Sequence, residues 1–239
     1  MRISEARRIY DLLQSFPDDS LSPMIEIGSS TFDFRTKIKP HIDKYLHTPL
    51  KSRGIKIITT DIKSGTGVMI SGNIYDPNVF QKMIDLKPRS ILLCNVLEHV
   101  EDIVELTALI SKLISRNGII VVTVPYDYPY HPDPIDTLYR PEPFDIANLF
   151  QEFEVVQSEI VLDVTYYLEL KKMGFRKATV RVFIELIKLF RSLITLHLGG
   201  ITHNRLWWII KRYKVSLVIL RKKEVCYDYS QTKNTQKPY

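Results

Sequence analysis

Residues 90–124 read SILLCNVLEHVEDIVELTALISKLISRNGIIVVTV, and a strand, a helix and a second strand follow one another in that stretch. Ser90–Cys94 is short, apolar and bounded by polar residues, the pattern of a strand covered on both faces of a parallel sheet. From Asp102 to Ile114, the residues Ile103, Leu106, Ile110 and Leu113 fall on one helical stripe, and Arg116, Asn117 and Gly118 end the helix. Ile119–Val124 is the next strand and is expected to stop at Pro125.

The same alternation extends in both directions. Towards the N-terminus, Met24–Gly28 and Ile55–Asp61 read as strands. Before them, Ser4 is the expected N-cap of a helix carrying Ile9, Leu12, Leu13 and Phe16 at helical spacing. Towards the C-terminus, six of the 13 prolines fall between Pro125 and Pro143, among four tyrosines. That composition predicts a stiff aromatic loop at the carboxyl end of a strand, where loops commonly carry function. A helix over Phe144–Phe150 and strands over Glu154–Leu162 and Lys214–Arg221 complete the pattern.

These elements predict an α/β fold: a Rossmann-like, doubly wound, mostly parallel seven-stranded sheet in one domain over residues 1–227. Residues 165–210 interrupt it as a helical insertion before the last strand. In that insertion Val182, Leu186, Leu189, Phe190 and Leu193 share one helix face, while Arg181, Glu185, Lys188 and Ser192 occupy another. Packing of the apolar face on the protein is the first expectation; capping the site or lying on a membrane are the others. The tail 228–239 is polar and expected to be disordered.

Charge is distributed unevenly. The chain of 239 residues carries a net charge of +6. Residues 1–168 hold 17 basic and 23 acidic side chains, whereas residues 169–224 hold 14 basic and three acidic ones. A basic block interleaved with Phe, Leu, Ile and Trp suits an anionic lipid surface, a phosphate-bearing substrate or nucleic acid. It equally suits a solvated face that balances the acidic part. An apolar fraction of 45% excludes a disordered or collagenous chain. Cys94 and Cys226 are too far apart for a metal spacing, so no metal and no disulfide are expected, and both thiols are read as free in a reducing cytosol. The N-terminal stretch has no continuous apolar run of the signal-peptide kind.

Two residues at strand ends suggest a nucleoside site. Gly28 follows the first strand, where ligands of doubly wound sheets approach the backbone, and Asp61 ends the second, where an acidic side chain can accept hydrogen bonds from ribose hydroxyls. The run IEIGSS is not a GxGxxG fingerprint, which argues against a nicotinamide-dependent oxidoreductase.

Over about residues 22–160 the segments IEIGSS, ITTDI, SGNIYDP, ILLCNVLEHVED and RNGIIVVTVP together resemble the class I S-adenosylmethionine-dependent methyltransferases. The nearest likeness is to their methyltransferase-11-like, small-molecule and glycan branch. Ser30 stands where that family usually has a second glycine, and Asn73 where it often has an aspartate. The resemblance implies S-adenosylmethionine as cofactor, with Glu26 and Gly28 along its methionine part, Asp61 on the ribose and Ser30 also among the residues that bind it. It implies that Asn73 and Ile74 flank the adenine and that Asn95 sits at the methionine end.

Methyl transfer needs proximity, orientation and, for an acceptor that must lose a proton, a base. His99 and His131 are the candidate catalytic residues, with Asp133 and Asp136 as further carboxylates; Arg140 reads as an ion pair bracing the loop. The expected reaction is O-methylation of a sugar, glycan or lipid-linked small molecule. The expected location is the cytoplasm, with peripheral contact to an anionic membrane through the basic insertion and the Trp207, Trp208 pair. A nucleic-acid partner is disfavoured, because the fourth strand ends in CNVLEH rather than the Asn/Asp-Pro-Pro-aromatic motif of base-flipping amino-methylating enzymes. The alternative is a non-catalytic binding module of the same fold acting through its basic insertion; the oligomeric state stays open.

Overall fold

A computed structural model describes residues 1–224. The expected tail 228–239, and Cys226 with it, lie outside the described residues.

Seven strands form one sheet: β1 (Met24–Ile27), β2 (Ile57–Asp61), β3 (Ile70–Ser71), β4 (Ser90–Cys94), β5 (Ile119–Asp127), β6 (Phe153–Thr165) and β7 (Arg212–Lys222). Their spatial order is β3-β2-β1-β4-β5-β7-β6. The first five run parallel, with Ile25 opposite both Ile58 and Ile91, and β7 enters antiparallel between β5 and β6. The order in which strands are added reverses between β1 and β4, and there the carboxyl ends of β1, β2 and β4 open together, the usual place for a ligand in such sheets.

The period-two alternation of the strands divides the core into two layers. Ile25, Ile91, Leu93, Ile120 and Val122 pack on one side under α2 (Pro77–Asp85), α3 (Ile103–Leu113) and α4 (Pro143–Asn148). Met24, Leu92, Val121, Leu217 and Ile219 pack on the other, against α1 (Ile3–Leu13) and the short helical turns of residues 34–52.

Three local expectations are corrected. The first helix begins at Ile3, not after Ser4: Glu5 reaches back to the Arg2 N–H, and Ser4 Oγ instead donates to Asp163. Pro125 does not end β5, which runs to Asp127 with a bulge after Pro125. The pairing of β4 with β5 ends at Cys94 and Thr123, so at Pro125 only β7 lies alongside and the missing N–H costs little.

The third correction concerns the insertion, built on α5 (Tyr166–Met173) and α6 (Phe175–Ile194). Of the expected apolar face only Val182 and Leu189 turn inward, while Leu186, Phe190 and Leu193 are exposed. The inward stripe is Arg181, Val182, Glu185, Leu189 and Ser192, with Glu185 buried and paired to Lys188 at 3.0 Å. The outward stripe is Val180, Phe183, Ile187, Phe190 and Ile194, each more than half exposed.

Candidate functional site

A cavity of about 640 Å³ opens beyond the carboxyl ends of β1, β2 and β4. All nine residues singled out from the sequence line it: Glu26, Gly28, Ser30, Asp61, Asn73, Ile74, Asn95, His99 and His131.

The turn after β1 forms one wall. Gly28 has φ +73°, and a Cβ there would sit 2.7 Å from Val96 Cγ2, so any side chain at this position is strained and forces Val96 to move. Ser30, at φ +56°, holds the left-handed conformation that a glycine would supply more easily. Its N–H donates to Asp61 Oδ2 at 2.7 Å, and the Lys63 N–H donates to Asp61 Oδ1 at 2.9 Å. Each oxygen of an ionised carboxylate keeps a further acceptor position. Arg35, buried beneath the turn, donates to the carbonyls of Ser29 (2.8 Å), Ser30 and Gly67 (2.7 Å). Nothing in the sequence around Arg35 announces this role; it emerges only when the helical turns of residues 34–52 fold back.

Glu26 and Asn95 are held from the opposite layer. Glu26 is buried with its Oε2 3.0 Å from Nε2 of buried His47, at an angle that leaves both atoms without a proper hydrogen bond among the described residues. Asn95 Nδ2 donates to Oε1 of Glu5 at 2.6 Å, and Thr123 Oγ1 donates to the same oxygen at 2.6 Å. Glu5 is fully buried and ties α1 to the floor of the site, a role that its place in a plain amphipathic helix does not reveal. Asn73 lies exposed at the rim, accepting from the Tyr75 N–H at 3.1 Å, and Ile74 packs on the edge of the core.

The opposite wall comes from the turn after β4 and the proline-rich loop. His99 Nδ1 lies within hydrogen-bond reach of the Ile135 carbonyl. His131 Nδ1 lies within hydrogen-bond reach of the Pro129 carbonyl at 3.1 Å and 3.2 Å from Asp136 Oδ2, and the His99 and His131 rings meet edge to face with centroids 5.3 Å apart. Both Nε2 atoms turn towards Oε1 of Glu98, at 3.7 Å and 3.6 Å. Burial works against protonation of His131, but the carboxylates of Asp136 and Glu98 outweigh it and raise its pKa above the ordinary value. Burial likewise opposes ionisation of Asp136, yet hydrogen bonds from His131 and the Arg140 guanidinium hold that carboxyl far below the usual range. Arg140 grips Asp136 with two N–H groups at 3.1 Å and 2.7 Å, the bracing role expected of it. Asp133 pairs with Lys63 across the mouth at 2.7 Å, which depresses its pKa.

The insertion supports this loop from behind. Trp208 Nε1–H donates to the Asp127 carbonyl at 3.0 Å, and the Tyr130 N–H to the His203 carbonyl at 2.8 Å. The Tyr128 ring is wedged between Tyr213 and His131, with centroids 5.2 Å and 4.9 Å away.

No family model matches the chain, and no curated protein sequence matches it. Solved structures do resemble it. A crystal structure of the MccD protein aligns over 91% of this chain and 96% of its own, at 12% identity and a TM-score of 0.51. A SAM-dependent methyltransferase from Archaeoglobus fulgidus aligns over 91% and 94%, at 13% identity and 0.49. Coclaurine N-methyltransferase, bound to N-methylheliamine and SAH, aligns over 91% and 72%, at 12% and 0.47. Likeness at such identities concerns the fold. Together with the strand order and the antiparallel β7, it shows a Rossmann-like α/β fold with a mostly parallel seven-stranded sheet.

Proposed function

We propose that the chain is an S-adenosylmethionine-dependent methyltransferase that methylates a hydroxyl of a sugar, glycan or lipid-linked small molecule. The observation that carries this reading is the joining, in one cavity, of the left-handed turn Gly28–Ser30, the Asp61 carboxylate and the His99, His131 wall. The residues fit the cofactor. Gly28 brings its backbone to the cavity wall without a side chain, Asp61 keeps acceptor capacity for two ribose hydroxyls, and Glu26, beside buried His47, adds a carboxylate to the lining. Ile74 and Val79 offer an apolar side to an adenine ring at the rim, beside the polar edge of Asn73. When bound, the cofactor supplies an electrophilic methyl group on a sulfonium.

The protein's own share is positioning. Arg35 and Asp61 fix the turn from its two sides, so the ribose end is held without reorganisation. His131, oriented by Asp136, and His99, oriented by the Ile135 carbonyl, present their Nε2 atoms from the wall that an acceptor would face. The non-catalytic alternative drew on Ser30 and Asn73. Ser30 adopts the conformation that the family's glycine would adopt, which removes half of its support.

The outward face of α6 supports a lipid-linked acceptor. Its apolar stripe from Val180 to Ile194 is about 21 Å long, flanked by exposed Lys177, Lys188 and Arg191. That combination suits the headgroup boundary of an anionic bilayer. No helix among the described residues is long and apolar enough to cross a membrane.

A thermal-shift comparison tests the cofactor reading. S-adenosylhomocysteine at about 100 times its Kd should raise stability by about 2.7 kcal/mol, while NADH should leave the midpoint unchanged; the reverse pattern would contradict the assignment. Co-sedimentation with phosphatidylglycerol vesicles at low salt tests the surface. Retention lost in Phe183→Asp/Phe190→Asp supports it, whereas equal retention on neutral vesicles, or self-association without lipid, contradicts it.

A further inference from the structure

From the arrangement of Glu98, His99 and His131 we infer a binding site for a first-row divalent metal ion, such as Zn²⁺, Mn²⁺ or Fe²⁺, on the acceptor wall of the cavity. One ligand atom from each of the three residues lies within 4.8 Å of the other two. An ion bound at about 2.0–2.2 Å would draw Glu98 and each histidine together by only a few tenths of an ångström from their 3.6 Å and 3.7 Å separations.

Four observations converge on this site. The Glu98 side chain is fully buried, and neither of its carboxyl oxygens has a hydrogen-bond partner among the described residues. Such a group is costly to bury unless a cation or a donor completes it. The two nearest donors stand at 3.6 Å and 3.7 Å, too far for hydrogen bonds and close to the spacing of two ligands on one ion. Each histidine is also oriented in the way metal-bound histidines are. His131 turns Nδ1 to the Pro129 carbonyl, with the Asp136 carboxylate close by, and His99 turns Nδ1 to the Ile135 carbonyl, which leaves both Nε2 lone pairs for the ion. Finally, His99 and His131 line the cavity while Glu98 lies behind them, so the remaining coordination positions open towards a substrate.

Two imidazoles and one carboxylate favour a transition ion over Mg²⁺ or Ca²⁺, which take oxygen ligands. Sequence spacing gave no warning of the site, because the third ligand belongs to a different loop.

The role of the ion rests on the methyltransferase reading. It would hold the acceptor hydroxyl and lower its pKa, which makes a separate general base unnecessary. As the oxygen–carbon bond forms and the cofactor's sulfur–carbon bond breaks, the hydroxyl proton passes to water. His99 and His131 then act as ligands rather than bases.

The test uses the full chain, free of any affinity tag and treated with a chelator. Zn²⁺ is titrated calorimetrically, and Co²⁺ is followed by its visible d–d absorption, into wild type, Glu98→Gln and His131→Ala. One equivalent bound per chain, with affinity lowered at least about 100-fold in both variants, is the expected result. No stoichiometric binding, or binding that neither substitution weakens, would overturn the site. Because Glu98→Gln keeps the size of the buried side chain and removes its charge, it serves if His131→Ala fails to fold. Titration of S-adenosylhomocysteine into the same samples reads the cofactor assignment separately, so either idea can fail without the other.

Discussion

Gly28→Ala tests whether the turn after β1 has the geometry described. Alanine at φ +73° costs about 1–2 kcal/mol for the left-handed backbone. The new Cβ, 2.7 Å from Val96 Cγ2, adds about 1–3 kcal/mol of overpacking. A less flexible unfolded chain returns about 0.4–1 kcal/mol. The net loss is about 2–4 kcal/mol, or roughly 5–15 °C in the melting midpoint for a domain of this size. Urea unfolding followed by circular dichroism measures it. Val96→Ala removes the clashing methyl, so the double variant should recover about 1–2 kcal/mol of the steric share and none of the backbone share. A Gly28→Ala protein within about 0.5 kcal/mol of wild type, or a double variant that shows no coupling, would refute the reasoning.

Arg35→Met leaves the Ser29, Ser30 and Gly67 carbonyls without their donor; a loss of at least about 4.5 kcal/mol in urea unfolding is expected, from three charge-assisted bonds worth about 1.5–3 kcal/mol each. Burial, and then the Glu5 carboxylate, push the Cys94 thiol well above its ordinary pKa. Peptide mapping after iodoacetamide treatment at about pH 8, near the ordinary thiol pKa, should therefore find Cys94 alkylated far more slowly in the native than in the unfolded chain. Asp136 has a depressed folded-state pKa, so its contribution is present above the unfolded value of about 3.9 and fades as pH falls through the lower folded one. Asp136→Asn should accordingly be less stable than wild type at neutral pH, and the two should converge in acid denaturation scans.

The parallel strands were legible because strands covered on both faces leave short apolar runs between polar boundaries, as in SILLC and IIVVTV. The cavity-lining residues were legible for a related reason: Gly28, Asp61 and Asn95 sit at strand ends, and topology brings strand ends together. Other features depend on packing that no local pattern encodes. Amphipathicity gives α6 two faces but does not say which one meets the protein, and a buried Glu185 paired with Lys188 reverses the ordinary expectation. The helical turns of residues 34–52 are short and carry the clamp Arg35 and the buried His47 without a periodic signal. Glu98 reads as one more acidic residue beside a histidine until the proline-rich loop brings His131 and Asp136 over it.

Calorimetric titration of wild type and Asp61→Ala with S-adenosylhomocysteine tests the central claim, that the cavity at the β1, β2 and β4 ends holds this cofactor. Asp61→Ala also removes two hydrogen bonds from the turn, so both proteins are titrated well below their melting midpoints. The account predicts one site in the wild type, with affinity lowered at least about tenfold in Asp61→Ala, equivalent to about 1.4 kcal/mol. A folded wild type that takes up no ligand, or equal affinity in the two proteins, would contradict it.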